Sequence, residues 1–275
     1  MTATVHPKTL PAALAAALIA GLLANAIPTG GARADQREDF LAGRAKACPG
    51  CDLAGANFKR RDLSGADLTG AHLMGANFHD ARLVGAKLAG ADLTGANLNK
   101  ANLSRADLAG AHLHEAMLYA AILDAGMLGG ADFTDALMGT ARFLRSDLTK
   151  AILRGADMRK ARLDGSALGG ADLTEAALDQ AMVRDAKLDG AVLAGARLMG
   201  ADLVGSTLVG ADLTEADALH VNLRGADLSG ANLTDTNLRQ ANLYETKLDG
   251  TIFHDTTMPD GTTQTDDGRE KTGDK

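Results

Sequence analysis

The chain has 275 residues, a formal net charge of −7 and a sequence pI near 5.5. It contains 32 glycines, two tyrosines, six phenylalanines and no tryptophan, so it has fewer aromatic side chains than a globular core of this length normally uses. The acidic balance disfavours direct binding to nucleic acid, and the composition predicts an interior of small aliphatic side chains.

Residues 1–34 differ in composition from the rest of the chain. A lysine precedes the apolar run at 9–27, and a small-x-small triplet, Ala-Arg-Ala, occupies 32–34. This is the layout of a secretory signal peptide, so we predict cleavage after Ala34 and a secreted or periplasmic mature chain without a membrane span. The alternative is an uncleaved leader that anchors the protein in the inner membrane, although the run is short for a span and contains Pro11.

Residues 35–50 are predicted to form an N-terminal cap. The sequence Asp-Gln-Arg-Glu at 35–38 has the character of a capping box, and Phe40 and Leu41 follow at helical spacing. We therefore predict a short helix over residues 36–46 that covers the first turn of the following domain.

The cap ends in a C-x-x-C motif, Cys48-Pro49-Gly50-Cys51. Such a pair can form a disulfide, a redox dithiol or half of a metal site. No second C-x-x-C or histidine pair follows at zinc spacing, and no βαβ pattern surrounds the motif. The sequence favours a structural disulfide or buried thiols over redox or metal chemistry, and it predicts no metal ion, cofactor or catalytic residue.

From Leu53 to Met258 every fifth residue is apolar, large in every case except Ala218, and the phase never slips. Leu occupies 32 of these 42 central positions, and Ala occupies 31 of the 42 positions two residues earlier. A period of five fits neither an α-helix nor a β-strand. It is typical of a solenoid, in which each unit buries its apolar face only by stacking on its neighbours.

Units such as Ala66-Asp67-Leu68-Thr69-Gly70 resemble the A(D/N)LxG repeat of the pentapeptide-repeat family, and the resemblance covers residues 51–258. It implies an all-β, right-handed quadrilateral β-helix of about ten coils, four pentapeptides to a coil, with the central residue and the preceding Ala pointing inward. Asp or Asn just before the centre is expected to bond to turn backbone, and Gly two after the centre to supply a positive φ.

Two residues depart from this pattern. Arg61 occupies an inward small-residue position in the first coil, where its guanidinium could leave through the open end. Ala218 occupies a central position, with Leu219 beside it, and is predicted to leave a void or a local shift.

Four histidines lie early in the repeat, and the twenty-residue coil places His72, Asp92 and His112 in one row. The two histidines in that row are two rungs apart, about 10 Å, which is too far to share one metal ion without distortion. We interpret them, with His79 and His114, as solvated surface residues.

Outward apolar residues concentrate near the middle of the repeat. They form a possible partner patch of Met117, Tyr119, Ile122, Met127, Leu137 and Ile152, in which Met117 and Leu137 stack on one wall while Ile122 and Met127 fall on the next two walls. Such a run indicates a contact surface. Drift in a degenerate repeat is the alternative.

After Met258 the chain is polar, and residues 259–275 are predicted to be a disordered tail. The whole pattern predicts a non-enzymatic, exported rod that binds an unknown protein partner or itself. The alternative, suggested by the family resemblance, is an acidic DNA mimic that binds a topoisomerase, of the gyrase-protection type, if the protein is cytoplasmic. Family members of that type dimerise through a C-terminal apolar element, which this sequence lacks.

Overall fold

The computed structural model describes residues 30–265 and consists of a short helix followed by a long ladder of parallel β-bridges. Helix α1 spans Gly30–Leu41. Each bridge then joins a residue to the one twenty positions later, from Ala47↔Asp67 to Asn237↔Thr257. Every coil of this β-solenoid therefore contains four pentapeptides.

The four pentapeptides of a coil define four walls, which we name A to D. Wall A is centred on Leu53 and every twentieth residue after it, wall B on Phe58, wall C on Leu63 and wall D on Leu68. Each wall presents one outward residue just before and one just after each centre. The residue two after the centre lies at the edge shared with the next wall.

One unit, Ala91-Asp92-Leu93-Thr94-Gly95, shows how all five backbone N–H groups are satisfied. Asp92 donates to Ala71 O in the coil below (2.9 Å), and Leu93 and Gly95 donate to carbonyls of the coil above (2.7 and 2.9 Å). Ala91 donates across the preceding turn to Leu88 O (3.0 Å), and Thr94 donates to Oδ1 of Asp92 (3.0 Å). A regular unit thus leaves no buried amide without an acceptor.

The expected role of Asp and Asn before the centre is confirmed along the whole repeat. Every such residue from Asp52 to Asn242 accepts, through Oδ1, the backbone N–H two residues later. The short polar side chain therefore caps the one turn amide that the ladder does not use.

The corners need positive φ, as the sequence predicted. Gly95 has φ 62°, and the residue at the same place in the next unit, Lys100, has φ 60°. Together with the hydrogen bond across the turn, this is the geometry of a type II β-turn. A non-glycine residue in this region costs about 1 kcal/mol or more, which explains why Gly is so frequent there.

The inward residues form one continuous core from Phe40 to Ala241. Central Leu and Phe side chains fill it, and most of them are fully buried. Where Ser or Thr replaces the small Ala, the hydroxyl donates to a central carbonyl, as Ser146 Oγ does to Leu123 O (2.8 Å). A buried hydroxyl is thereby satisfied without disturbing the column.

The cap differs from its predicted bounds. Helix α1 ends at Leu41 instead of 46, because Gly43 adopts φ 78° and stops it. The bridge Ala47↔Asp67 then places Cys48 at a central position, fully buried, so the solenoid begins before the predicted boundary at residue 51. Of the predicted leader, residues 1–29 lie outside the described residues.

Arg61 fastens the cap to the first coil. Its guanidinium donates through Nη1 to Leu41 O (3.0 Å) and through Nη2 to Phe40 O, the exposed carbonyl end of the helix. It also lies 5.5 Å from the ring centroids of both Phe40 and Phe58. The arginine therefore stays at the capped end as a C-terminal helix cap and a cation–π partner.

Ala218 causes no break in the ladder, since its N–H donates to Asn237 O at 2.9 Å. The next inward position, normally Ala, is Val221, and both side chains are about 1% exposed. Val221 is larger than the Ala that normally occupies its position, and we interpret it as compensating in part for the volume that Ala218 lacks, a pairing that the sequence analysis did not anticipate.

The chain is ordered beyond the predicted end of the repeat. Strand β1, Thr256–Thr257, pairs antiparallel with β2, Thr263–Gln264. Thr257 O also accepts the N–H of Leu238 in the rung below (2.8 Å), so this hairpin stacks on wall B. The predicted disorder from residue 259 is therefore wrong as far as residue 265, because the Pro-Asp-Gly turn folds the tail back onto the last coil.

Candidate interaction surface on wall B

The middle of wall B carries an open apolar pocket of about 480 Å³. Its apolar lining comes from Met117, Tyr119 and Leu137, and Gly139 forms part of its floor. The parallel bridge Met117↔Leu137 places these two residues in consecutive coils, as predicted. Tyr119 and Leu137 are 54% and 51% exposed, so more than half of each side chain is available for contact.

The local sequence explains how this pocket forms without unfolding the turn. Met117 occupies the position that Asp or Asn usually holds, so the N–H of Tyr119 lacks its ordinary cap. Asn99, one coil below, accepts that N–H through Oδ1 at 2.7 Å. One coil above, the Tyr119 ring lies against Gly139, since a Cβ there would be 3.4 Å from Cδ2 of the tyrosine, an ordinary van der Waals contact.

A charged rim lies above the apolar residues. Asp157 accepts three hydrogen bonds from Arg159, through the backbone N–H (3.1 Å), Nε (2.8 Å) and Nη2. The hydrogen bonds of the arginine side chain are the main cause of a lowered pKa of Asp157. Lys160 completes the rim at the corner.

The two edges of wall B differ in charge. The edge shared with wall A carries Glu115, Asp135 and Glu175, whereas the edge shared with wall C carries Lys100 and Lys160. Around the pocket, wall B is therefore apolar at its centre, with acidic residues on one edge and the two lysines on the other, whereas nearer the N-terminal end the second edge carries Arg60 paired with Asp80.

The structure does not gather the remaining members of the predicted patch around this pocket. Ile122 lies on wall C beside Arg142, Met127 on wall D beside Asp147, and Ile152 on wall A between Asp132 and Asp172. Met127 and Ile152 are 52% and 37% exposed, and Ile122 is half-buried. The contiguous surface thus consists of Met117, Tyr119 and Leu137.

The C-x-x-C motif forms a disulfide between Cys48 and Cys51, whose Cα atoms are 5.4 Å apart. Both residues are inward, at 0% and 5% exposure, under helix α1. A smaller pocket of about 320 Å³ lies beside them and is lined in part by Arg37 and His72. The disulfide therefore joins a central position, Cys48, to the next inward small-residue position, Cys51.

The row of His72, Asp92 and His112 on wall A is confirmed by consecutive bridges. The pKa of Asp92 is lowered chiefly by the side-chain hydrogen bond of Thr94, with a smaller contribution from the two histidines. Among the described residues, no group of three or more His, Cys, Asp or Glu side chains is arranged to hold a metal ion.

The sequence analysis missed Asn99, Gly139 and Arg159, which shape the pocket on wall B. Each is ordinary in a pattern of period five. Their grouping becomes visible only when outward residues are compared at intervals of twenty, column by column along a wall.

A family model described as pentapeptide repeats matches eight copies in segments between residues 51 and 255. HetL, a pentapeptide repeat protein involved in heterocyst differentiation regulation from the cyanobacterium Nostoc sp. strain PCC 7120, is 33% identical with a TM-score of 0.70, and the match covers 83% of this chain and 97% of HetL.

Two further solved structures share less with the chain. QnrB1, a plasmid-mediated fluoroquinolone resistance protein, is 22% identical with a TM-score of 0.34, over 62% of this chain and 84% of QnrB1. A pentapeptide repeat protein from the Arabidopsis thaliana thylakoid lumen is 28% identical with a TM-score of 0.18, over 43% and 73%. No curated protein sequence matches the chain. Within residues 30–265 no helix has the length and apolarity needed to cross a membrane.

Proposed function

Because the chain belongs to the pentapeptide-repeat family, we propose that it is a non-enzymatic, exported rod that binds protein through wall B. The observation that carries this proposal is the pocket on wall B that Met117, Tyr119 and Leu137 line together. Exposed apolar side chains grouped on one face are typical of protein contact surfaces.

We take the rod to be right-handed and four-sided, with about ten coils. The twenty-residue bridge spacing supports four sides, and parallel strands joined within one sheet are almost always connected with right-handed sense. A stack of this kind presents long walls for contact. HetL, the similar pentapeptide repeat protein, is involved in the regulation of heterocyst differentiation.

The absence of enzymatic activity is inferred from how the reactive groups are used. Cys48 and Cys51 are bonded to each other and buried, whereas a redox dithiol needs an accessible sulfur. The carboxylates before the centres cap turn amides, as Asp92 does for Thr94. A catalytic role for these carboxylates would therefore compete with their role as acceptors of the turn amides.

Export is inferred from the leader, with cleavage after Ala34. Cleavage there would leave a helix of residues 35–41 that remains fastened through Phe40 and Arg61. Mass spectrometry of the protein from a periplasmic fraction tests this, since we expect a mature N-terminus at Asp35. A protein that retains Met1, or that stays in the cytoplasm, would contradict it.

The contact surface is tested by replacing Met117 and Leu137 with Ser. We expect the variant to keep its circular dichroism spectrum, because neither residue points inward, and to lose capture of its binding partner in chemical cross-linking. Met127→Ser is the matched control, since it removes a similarly exposed side chain from wall D. Equal loss of binding in the control, or none in the wall B variant, would contradict the assignment.

A second candidate, a DNA mimic that binds a topoisomerase, is favoured by the acidity of wall A. Wall A, counted with the edge that it shares with wall B, has eleven acidic residues and one basic residue, Arg154. The acidic residues are Asp52, Asp92, Glu115, Asp132, Asp135, Asp172, Glu175, Asp212, Glu215, Asp235 and Asp255. A duplex, however, presents phosphates around its whole circumference. We therefore expect the purified protein to leave DNA supercoiling by gyrase unchanged, and inhibition at equimolar protein would favour the mimic.

A further inference from the structure

On every rung, wall B shows one side chain before the centre and one after it, in two parallel columns. In three consecutive coils these pairs are Met117 with Tyr119, Leu137 with Gly139, and Asp157 with Arg159. The two members of each pair complement each other. The first pair joins a thioether to an aromatic ring, the second a large side chain to a residue without one, and the third an anion to a cation.

We propose that wall B binds a second copy of this chain, face to face, about a two-fold axis parallel to the rod. The proposal rests on the function proposed above and names the occupant of the same surface. Such an axis keeps the height of every residue and exchanges the two columns. Each residue before a centre therefore faces the partner's residue after the same centre.

The rung of Leu137 fits this arrangement best. Leu137, 51% exposed, faces the partner's Gly139, which adds no side chain of its own, so the Tyr119 ring beside it forms the wall of the pocket that the leucine contacts. By symmetry, the partner's Leu137 enters the pocket above Gly139. Two leucines are thus buried in two matching holes, which is the self-complementary contact that a two-fold interface requires.

The neighbouring rungs agree with it. Met117 faces the partner's Tyr119, a favourable contact of sulfur with an aromatic ring. Asp157 faces the partner's Arg159, so the ion pair within each chain can extend across the interface.

The edges fix the orientation. The two-fold axis sets the acidic edge of one copy against the basic edge of the other, with Glu115 near the partner's Lys100 and Glu175 near the partner's Lys160. Each of these pairs differs in height by less than one rung of ~4.8 Å. An antiparallel arrangement would reverse the heights and separate Leu137 from the partner's Gly139.

The size of the contact predicts a weak dimer. A wall about 10 Å wide and about 50 Å long covers about 500 Å² per copy, or about 1,000 Å² in total. This is near the lower limit for a specific interface, so we expect dissociation in the micromolar range.

The test exchanges the leucine and the hole. Leu137→Gly removes the side chain that fills the pocket, and Gly139→Leu places two leucines against each other, so each single variant is expected to weaken dimerisation at least about tenfold in sedimentation equilibrium. The double variant restores leucine opposite glycine, and we expect it to recover to within about threefold of the unmodified chain. Gly139 does not have a positive φ, and its nearest contact is the movable Tyr119 ring, so the leucine can be accommodated.

A second exchange tests the orientation: Lys160→Glu and Glu175→Lys are each expected to weaken the dimer, and the double variant to restore it. Circular dichroism confirms that each variant is folded. A chain that remains monomeric at 100-fold above micromolar concentration, or a double exchange no better than its single variants, overturns the dimer. A third outcome separates the two proposals. If the unmodified chain is monomeric but cross-links to a different protein, and the variant with Met117 and Leu137 replaced does not, then wall B is a binding surface and its occupant is not a second copy.

Discussion

Ala218 and Val221 provide a quantitative test of how the core is packed. In a regular unit a large centre is followed, three residues later, by Ala. Here Ala is at the centre and Val follows it, and both residues are about 1% exposed. The N–H of Val221 donates to Ala218 O at 3.1 Å, so the two inward side chains are joined by a single turn. We interpret them as a compensating pair.

The interpretation predicts the sign and size of three free-energy changes. Val221→Ala removes buried methyl groups and leaves a cavity, which we expect to lower the free energy of unfolding by about 2 kcal/mol. Ala218→Leu adds volume where valine already intrudes, with an expected loss of about 1–3 kcal/mol. The double variant restores the regular pattern, so we expect it to lie within about 1 kcal/mol of the unmodified chain instead of losing about 3–5 kcal/mol.

Urea unfolding followed by circular dichroism would give these values, and amide hydrogen exchange at Leu198 and Leu238 would show whether the change is local to wall B. The reasoning fails if the double variant loses the sum of the two single losses. That outcome would mean that Ala218 and Val221 lie in separate spaces and that the void at Ala218 is unfilled.

Three further predictions concern other parts of the rod. Leu163→Asp, which buries a carboxylate among apolar side chains, is expected to unfold several coils, whereas Asp157→Ala lowers the melting temperature only slightly because it removes surface hydrogen bonds; similar losses would contradict the register. Arg61→Ala is expected to raise hydrogen exchange in helix α1 while leaving mid-rod amides protected, and unchanged exchange in the helix would show that its other contacts, such as Phe40 with Phe58 and Arg37 with Asp52 O, hold the cap without Arg61. The pKa of Asp227 is lowered to about 2 by hydrogen bonds, those from Ser229 first, so the stabilising contribution of its carboxylate is complete above about pH 4 and is lost as the pH falls toward 2. Asp227→Asn is therefore expected to reduce the dependence of the melting temperature on pH between about pH 4 and 2. A variant whose melting temperature falls with pH as steeply as that of the unmodified chain would refute this.

The repeat could be predicted in detail because its determinants are local. The period of five sets which residues point inward, and the short Asp and Asn side chains bond only two residues away, as Asp52 does to Ala54. Positive φ at the corners follows from the same turn geometry. These features depend on residues within one pentapeptide, so they can be predicted unit by unit wherever the repeat pattern is kept.

Other features depend on contacts that the period does not encode. Arg61 breaks the pattern, but its partners are the carbonyls of Phe40 and Leu41, which lie about twenty residues away. Asn99 likewise caps an amide in the next coil, at Tyr119. The hairpin at the C-terminal end requires the tail to find the last rung, and neither composition nor periodicity signals that contact.

The regularity of the coil also bears on why wall B carries apolar residues at all. Folding constrains the two inward positions and the corner, whereas the residues before and after each centre face solvent and contribute little to the core. Asn99 replaces the cap that Met117 cannot supply, so the irregularity at Met117 is accommodated by a residue one coil away. The same kind of replacement occurs on other walls, since Asp124 accepts the N–H of Leu144 and Asp189 that of Val209. The turn therefore tolerates apolar residues before the centre, and the in-register stacking of the rungs allows a surface built from them to be matched residue by residue with another rod.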